Sequence, residues 1–155
     1  MRKGERQMRT KRYIALVLLF LLVFSTPAMA VSRASKVITV AVAQLGKPYA
    51  LVSSAPDSFN CASFVAYCYN TVNNGTITRN GVKGKCRKIH SMKKTKAGDI
   101  VCFRTSGNEK GILNYHFGIY MGSGRFIHAS NSAGKVVISK MKSYSGRFLG
   151  ALRLQ

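Results

Sequence analysis

Apolar residues recur at three- and four-residue spacing between Ser32 and Leu45, at Val37, Val40, Ala41 and Leu45. That period predicts a helix with one face on a core. Gly46-Lys47-Pro48-Tyr49 stops it. The serine- and proline-containing stretch Ser53 to Ser58 reads as a loop leading to Asn60, a residue type favoured at a helix N-cap. A second helix is predicted from Cys61, with Cys61, Phe64, Val65, Cys68 and Val72 on one side. The following stretch, Asn73 to Lys96, is glycine-containing and basic, with Arg79, Lys83, Lys85, Arg87, Lys88, Lys93 and Lys94, and is expected to be an exposed loop.

From Asp99 onward the pattern changes to short apolar runs with glycine-containing turns. Strands are predicted over Ile100 to Arg104, Tyr115 to Met121, Arg125 to Ala129, Val136 to Ser139 and Phe148 to Leu154. Helices first and antiparallel strands second make an α+β arrangement, with the early helices packed on one face of a curved sheet of about five strands. The absence of internal repeats, heptads and low-complexity stretches excludes solenoids and coiled coils.

Ahead of these elements, six basic residues (Arg2, Lys3, Arg6, Arg9, Lys11 and Arg12) precede the unbroken apolar run Tyr13 to Phe24. The run is too short to span a bilayer, and Ala28-Met29-Ala30 is the small-residue pattern a signal peptidase accepts. Residues 1–30 are therefore expected to be a signal peptide cut after Ala30. No cysteine lies near that cut, so neither a lipid-modified terminus nor a stable membrane anchor is expected. Residues 31–155 are enough for one domain and too few for two.

Of the 25 basic and four acidic residues, six and one fall in the leader, which leaves 19 against three, a net +16 over residues 31–155. A field of that sign favours polyanions. For an exported domain without a recognisable nucleic-acid motif, those are anionic wall polymers and membrane surfaces rather than nucleic acid.

Cys61, Cys68, Cys86 and Cys102 all lie in the domain. On a shared helix Cys61 and Cys68 would stand about 10 Å apart, beyond disulfide reach. Cys86 with Cys102 is an open pairing, and Cys102, within Ile100-Val101-Cys102-Phe103, reads equally as a buried free thiol. Cysteine spacing gives no zinc pattern.

Cys61 stands at a predicted helix start, where free backbone N–H groups and the helix dipole stabilise a thiolate and can receive an oxyanion. A cysteine nucleophile needs a base, and the domain offers His90, His116 and His128. His90 sits among lysines in the expected loop. His116 and His128 lie in consecutive strands turned by Gly122-Ser123-Gly124. A three-residue hairpin loop would set Met121 opposite Arg125 and Gly118 opposite His128, putting the two histidines on one face as diagonal neighbours. A two-residue loop would put them on opposite faces.

The chain from about Val37 to Arg153 resembles the NlpC family of papain-like cell-wall cysteine peptidases. Five segments carry the resemblance, in this order: Gly46-Lys47-Pro48-Tyr49; Asn60-Cys61-Ala62-Ser63-Phe64-Val65; Lys96-Ala97-Gly98-Asp99-Ile100-Val101; His116-Phe117-Gly118-Ile119-Tyr120-Met121-Gly122; and Phe126-Ile127-His128-Ala129. The resemblance implies a papain-like α+β fold and one catalytic domain over residues 31–155. It also implies a secreted, wall-associated peptidoglycan hydrolase of the D,L-endopeptidase type, cutting stem peptides between γ-D-glutamate and the following diamino acid. Such enzymes use a cysteine, a histidine and a third polar residue, by position Cys61, His116 and His128. Tyr49 would lie near the oxyanion, and Asn60 and Ala62 would be substrate-binding positions. No metal or other cofactor is implied. The expected partners are stem peptides and anionic wall polymers, with the protein acting as a monomer.

Where the family usually has Asp before and Ser after the nucleophile, this chain has Asn60 and Ala62, and Ala50-Leu51-Val52 replace the tryptophan and glycines often found after the first segment. Losing a carboxylate weakens recognition of a free amino group, so the cleaved bond stays open. Two other readings remain: an amidase or cross-bridge endopeptidase of the CHAP type, and a highly basic wall-binding protein on a peptidase scaffold.

Overall fold

The computed structural model describes residues 32–73, 76–78, 81–82, 84–105 and 115–154. The expected signal peptide lies outside them, as do Arg79 and Lys83 of the basic stretch.

Helix α1 spans Arg33–Val42 and is capped by Ser32, whose side chain accepts the Ser35 N–H. It buries Val37 and Ala41. The helix stops three residues before the predicted end because the chain turns to run beside a strand. The Gly46 N–H donates to the Val136 carbonyl, the Val136 N–H to Lys47, and the Tyr49 N–H to Gly134. Leu45 is consequently 43% exposed instead of joining the core.

Helix α2 spans Cys61–Val72 and starts where predicted. Asn60 Oδ1 accepts the N–H groups of Ala62 and Ser63, and Ser63 Oγ accepts the Asn60 N–H, so the cap is reciprocal. The buried stripe is Cys61, Phe64, Val65, Cys68 and Tyr69, with Val72 packed at its margin. Tyr69 is held there by its hydroxyl, which donates to the Gly98 carbonyl.

The remaining elements are β1 (Ile77–Thr78), β2 (Gly81–Val82), β3 (Cys86–Ile89), β4 (Ile100–Arg104), β5 (Tyr115–Gly122), β6 (Arg125–Ser130), β7 (Lys135–Lys140) and β8 (Phe148–Leu154), with a short 3₁₀ turn at Met92–Lys94 and a 3₁₀ segment at Met141–Arg147. β1 and β2 form a small separate hairpin. The main sheet is antiparallel and has six strands, in the order β3-β8-β4-β5-β6-β7. The class is α+β as expected, but the sheet gains β3 from the stretch expected to be loop. Among the described residues β3 pairs only with β8, and Cys86, Arg87 and Lys88 are exposed while Ile89 alone of its four residues is buried. Such an edge strand has no apolar alternation to reveal it, and its charges are what keep an open edge from pairing with another chain.

The sheet is covered on both faces. Towards the helices, Ile100, Ile119, Ile127, Ala129 and Val136 pack with Val37, Phe64, Val65 and Cys68. On the opposite face Val101, Phe103, Phe126 and Ala151 pack under Met141 and Tyr144 of the 3₁₀ segment. This second core is what surrounds the histidines.

Candidate active site

Cys61 is the first residue of α2 and is 6% exposed. β5 and β6 pair only as far as Ile119 and Ile127, although both strands continue. The Phe117 N–H is therefore not used in that ladder, and it donates to Cys61 Sγ together with the N–H groups of Ala62 and Cys61 itself. Burial pushes the Cys61 thiol up, and these three N–H groups pull it down. Burial prevails, so the resting group is a thiol that needs a base close by.

The base candidates lie on the adjoining strand. β5 and β6 meet in a two-residue turn, Ser123 and Gly124, both with positive φ, rather than the three-residue loop expected. Gly122 pairs with Arg125, and the extra residue is taken up as a bulge at Met121 before Tyr120 pairs with Phe126. Turn and bulge together restore the register that a three-residue loop would give. His116 and His128 thus fall on one face after all, with Nε2 of the first 2.6 Å from Nδ1 of the second and their rings edge to face.

His128 is 1% exposed, and its Nε2 lies 2.9 Å from Ser139 Oγ on β7. Burial lowers its pKa to about 3, with the neighbouring His116 adding to the shift. Burial likewise lowers His116 to about 4, aided by the Arg147 guanidinium. Tyr144 stands at the centre of this environment, nearly parallel to His116 and edge-on to His128 and Phe126, with Arg147 4.6 Å from its ring centroid. Both imidazoles are therefore neutral at neutral pH. The pair uses Nε2 of His116, which leaves Nδ1 as that ring's other nitrogen, and the next residue along β5 is Phe117, whose N–H holds the sulfur.

Tyr49 is half-buried against the helix-side core and bridges Phe59, two residues before Cys61. Ala62 is exposed beside the thiol. Asn60 is committed inside the protein. Its Oδ1 caps α2, and its Nδ2 donates to the Leu51 carbonyl and Ser53 Oγ, so the side chain ties the 51–53 loop to the helix start. His90 is exposed after β3 and takes no part in the histidine pair.

All four cysteines are free thiols. Cys86 and Cys102 lie on strands separated by β8, roughly 9–10 Å apart in the hydrogen-bonding direction, which excludes the pairing left open above. Cys102 is pushed up to about 11 by burial and by its proximity to Cys61. Cys68 is pushed up to about 12 by burial and belongs to the core. Among the described residues, no group of three or more His, Cys, Asp or Glu side chains is arranged to hold a metal.

The thiol at a capped helix start and the two hydrogen-bonded histidines of the antiparallel sheet all lie within a segment that matches a known family. The NlpC/P60 family model covers residues 46–153. The chain belongs to the NlpC/P60 family of cell-wall cysteine peptidases. Similar family members include the probable peptidoglycan endopeptidase LytE of Bacillus subtilis, 29% identical over 77% of this chain and 34% of LytE. The murein DD-endopeptidase MepS/murein LD-carboxypeptidase of Escherichia coli is 29% identical over 64% of this chain and 50% of its own. The solved structure of the peptidoglycan hydrolase RipB from Mycobacterium tuberculosis superposes with a TM-score of 0.60 at 26% identity, covering 79% of this chain and 64% of that one. The chain spans half or less of the length of the curated relatives it matches.

Ser139, Tyr144, Arg147 and Cys102 were not among the expected site residues. Ser139 had a signal in principle, because the diagonal rule applied to β5 and β6 extends to β7 once the turn at residues 131–134 fixes the register. Tyr144 and Arg147 had none, since they sit in an irregular segment whose docking is tertiary.

Proposed function

We propose that this protein is an exported cysteine peptidase that hydrolyses amide bonds in peptidoglycan stem peptides. The observation that carries the reading is the placement of Cys61 Sγ on the Phe117 N–H, one residue along β5 from a neutral histidine whose Nε2 is already engaged. His116 Nδ1 takes the thiol proton as Sγ attacks the carbonyl carbon. The Cys61 N–H, which the cap does not use, and the Tyr49 hydroxyl receive the oxyanion. The imidazolium returns the proton to the leaving amine, and a water deprotonated by His116 then releases the acyl group and restores the thiol. His128 orients the His116 ring.

The bond assigned is that between γ-D-glutamate and the diamino acid, the D,L-endopeptidase position. Family membership supports an extracytoplasmic location, and the apolar leader with its Ala28-Met29-Ala30 site supports secretion. The net +16 of residues 31–155 supports retention on anionic wall polymers, with Arg87 and Lys88 of β3 and nearby Lys93, Lys94 and Lys96 all exposed.

The test is mass spectrometry of sacculi and defined stem peptides digested by wild type and Cys61→Ala. New γ-D-glutamyl carboxyl ends from wild type alone are expected. Cleavage at the sugar-peptide amide or a cross-bridge would move the assignment to the CHAP type, and undiminished cleavage by Cys61→Ala would remove the nucleophile. Wall binding without products would leave the wall-binding reading.

A further inference from the structure

His128 is fully enclosed, yet both of its ring nitrogens are engaged, Nδ1 with His116 and Nε2 with Ser139 Oγ. The three side chains lie on one face of three adjacent strands. Ser139 pairs with Phe126, and His128 with Val137, so Ser139 meets His128 diagonally across β6 and β7, as His128 meets His116 across β5 and β6. Phe126 and Tyr144 close the space around His128, which leaves no solvent to serve its ring nitrogens.

We propose that Ser139 is a positioning residue that fixes the tautomers of both histidines by accepting a hydrogen bond from His128 Nε2–H. The proposal rests on the reading of Cys61 as nucleophile and His116 as base. When His116 holds the proton taken from the thiol, both of its nitrogens carry hydrogen, so Nε2–H must donate to a bare His128 Nδ1. His128 then carries its own hydrogen on Nε2, and Ser139 Oγ is the acceptor in place. The resting state needs the same order, because only a His116 protonated on Nε2 has a bare Nδ1 for the thiol proton. With Ser139 donating instead, His128 would present Nδ1–H to His116, and His116 would rest protonated on Nδ1, unable to act as base. Ser139 is half-buried, so its own hydroxyl hydrogen can reach solvent while Oγ accepts.

The experiment compares wild type, Ser139→Ala and Ser139→Thr by steady-state kinetics on a stem-peptide substrate and by long-range ¹H–¹⁵N NMR of the histidine rings, with folding checked by circular dichroism. Ser139→Ala should lower kcat by about 10- to 100-fold with little change in KM. The His128 ring should move from the Nε2–H tautomer toward Nδ1–H, and Ser139→Thr, which restores a hydroxyl in a strand-compatible side chain, should recover both. Unchanged tautomers in Ser139→Ala, or a threonine variant as impaired as the alanine one, would overturn the proposal in favour of simple packing. The NMR measurement repeated in the Cys61→Ala background decides the hydrogen-bond order without any turnover. Failure of the Cys61 assignment and failure of the Ser139 proposal are thereby distinguishable.

Discussion

Gly118 lies against His128 with no room for a side chain between them. A Cβ at Gly118 would stand 3.1 Å from the His128 Cβ, 2.9 Å from the Ile127 carbonyl oxygen and 2.6 Å from Phe126 Cδ2. The glycine therefore lets β5 and β6 approach closely enough for the two imidazoles to bond. Gly118→Ala should force the strands or the Phe126 ring aside, costing about 1–3 kcal/mol of stability as overpacking does. It should also lower activity more than stability alone explains, by lengthening the His116 to His128 contact. Urea unfolding with parallel kinetics checks this, and a fully stable, fully active variant would contradict the packing.

The two histidines set a pH dependence with a definite sign. Their folded pKa values, about 4 for His116 and about 3 for His128, lie below the ordinary 6.5 because burial disfavours the charged ring. The neutral, base-competent form should persist well below pH 6.5, so kcat/KM should fall only as the pH approaches about 4. Stability follows linkage. Below pH 6.5 the unfolded chain binds protons that the native rings refuse, so their contribution is intact above 6.5 and is lost progressively as the pH falls towards 4 and 3. A pH–rate profile and a pH series of unfolding midpoints test both, and an acidic limb at 6.5 would mean the rings are not shielded.

Asn60 has two separable tasks. Asn60→Ala removes the cap bonds to Ala62 and Ser63 and the ties to Leu51 and Ser53, and should cost about 1–2 kcal/mol. Asn60→Asp keeps the oxygen that accepts both cap bonds and loses only the Nδ2 donors. It should leave stability nearly intact while speeding hydrogen exchange across residues 51–53. Equal destabilisation by both variants would mean the loop ties, not the cap, hold the helix start.

Asp99 secures the sheet behind the site. Its buried carboxylate accepts Arg153 Nε and Nη2 at 2.7 Å each and the Lys96 N–H at 2.7 Å. Arg153 is raised above its ordinary value chiefly by that hydrogen bond. Asp99→Ala should destabilise the protein by about 1–3 kcal/mol, because the Lys96 N–H loses its acceptor while the partly exposed Arg153 can still reach water, and should loosen the end of β8. Thermal unfolding and hydrogen exchange at residues 151–154 measure it, and a loss under about 1 kcal/mol would show that solvent replaces the pair.

Much of this was legible along the chain. β4 and β8 begin and end at the residues their apolar patterns indicated, and Asn60 caps α2 as its residue type foretold. The facing of Gly118 and His128 was also readable, because strand parity and turn length together fix which side chains share a face. The route to that register was not, since the bulge at Met121 trades one turn residue for one strand residue and leaves the same composition. β3 stayed hidden because an edge strand with exposed charges lacks the alternation that marks a strand.

Residue order by itself determined which groups carry chemistry and how they are presented locally: a thiol at a capped helix start, and two histidines of matching parity on adjacent strands. Only the tertiary structure decided that α2 meets β5 where its pairing with β6 stops, giving Cys61 the Phe117 N–H. It also brought Ser139, Tyr144 and Arg147 around the imidazoles. Local spacing fixes the face a side chain occupies on its own element. Which other element covers that face is set by the packing of two cores on opposite sides of one sheet, a property of the whole chain and not of any stretch of it.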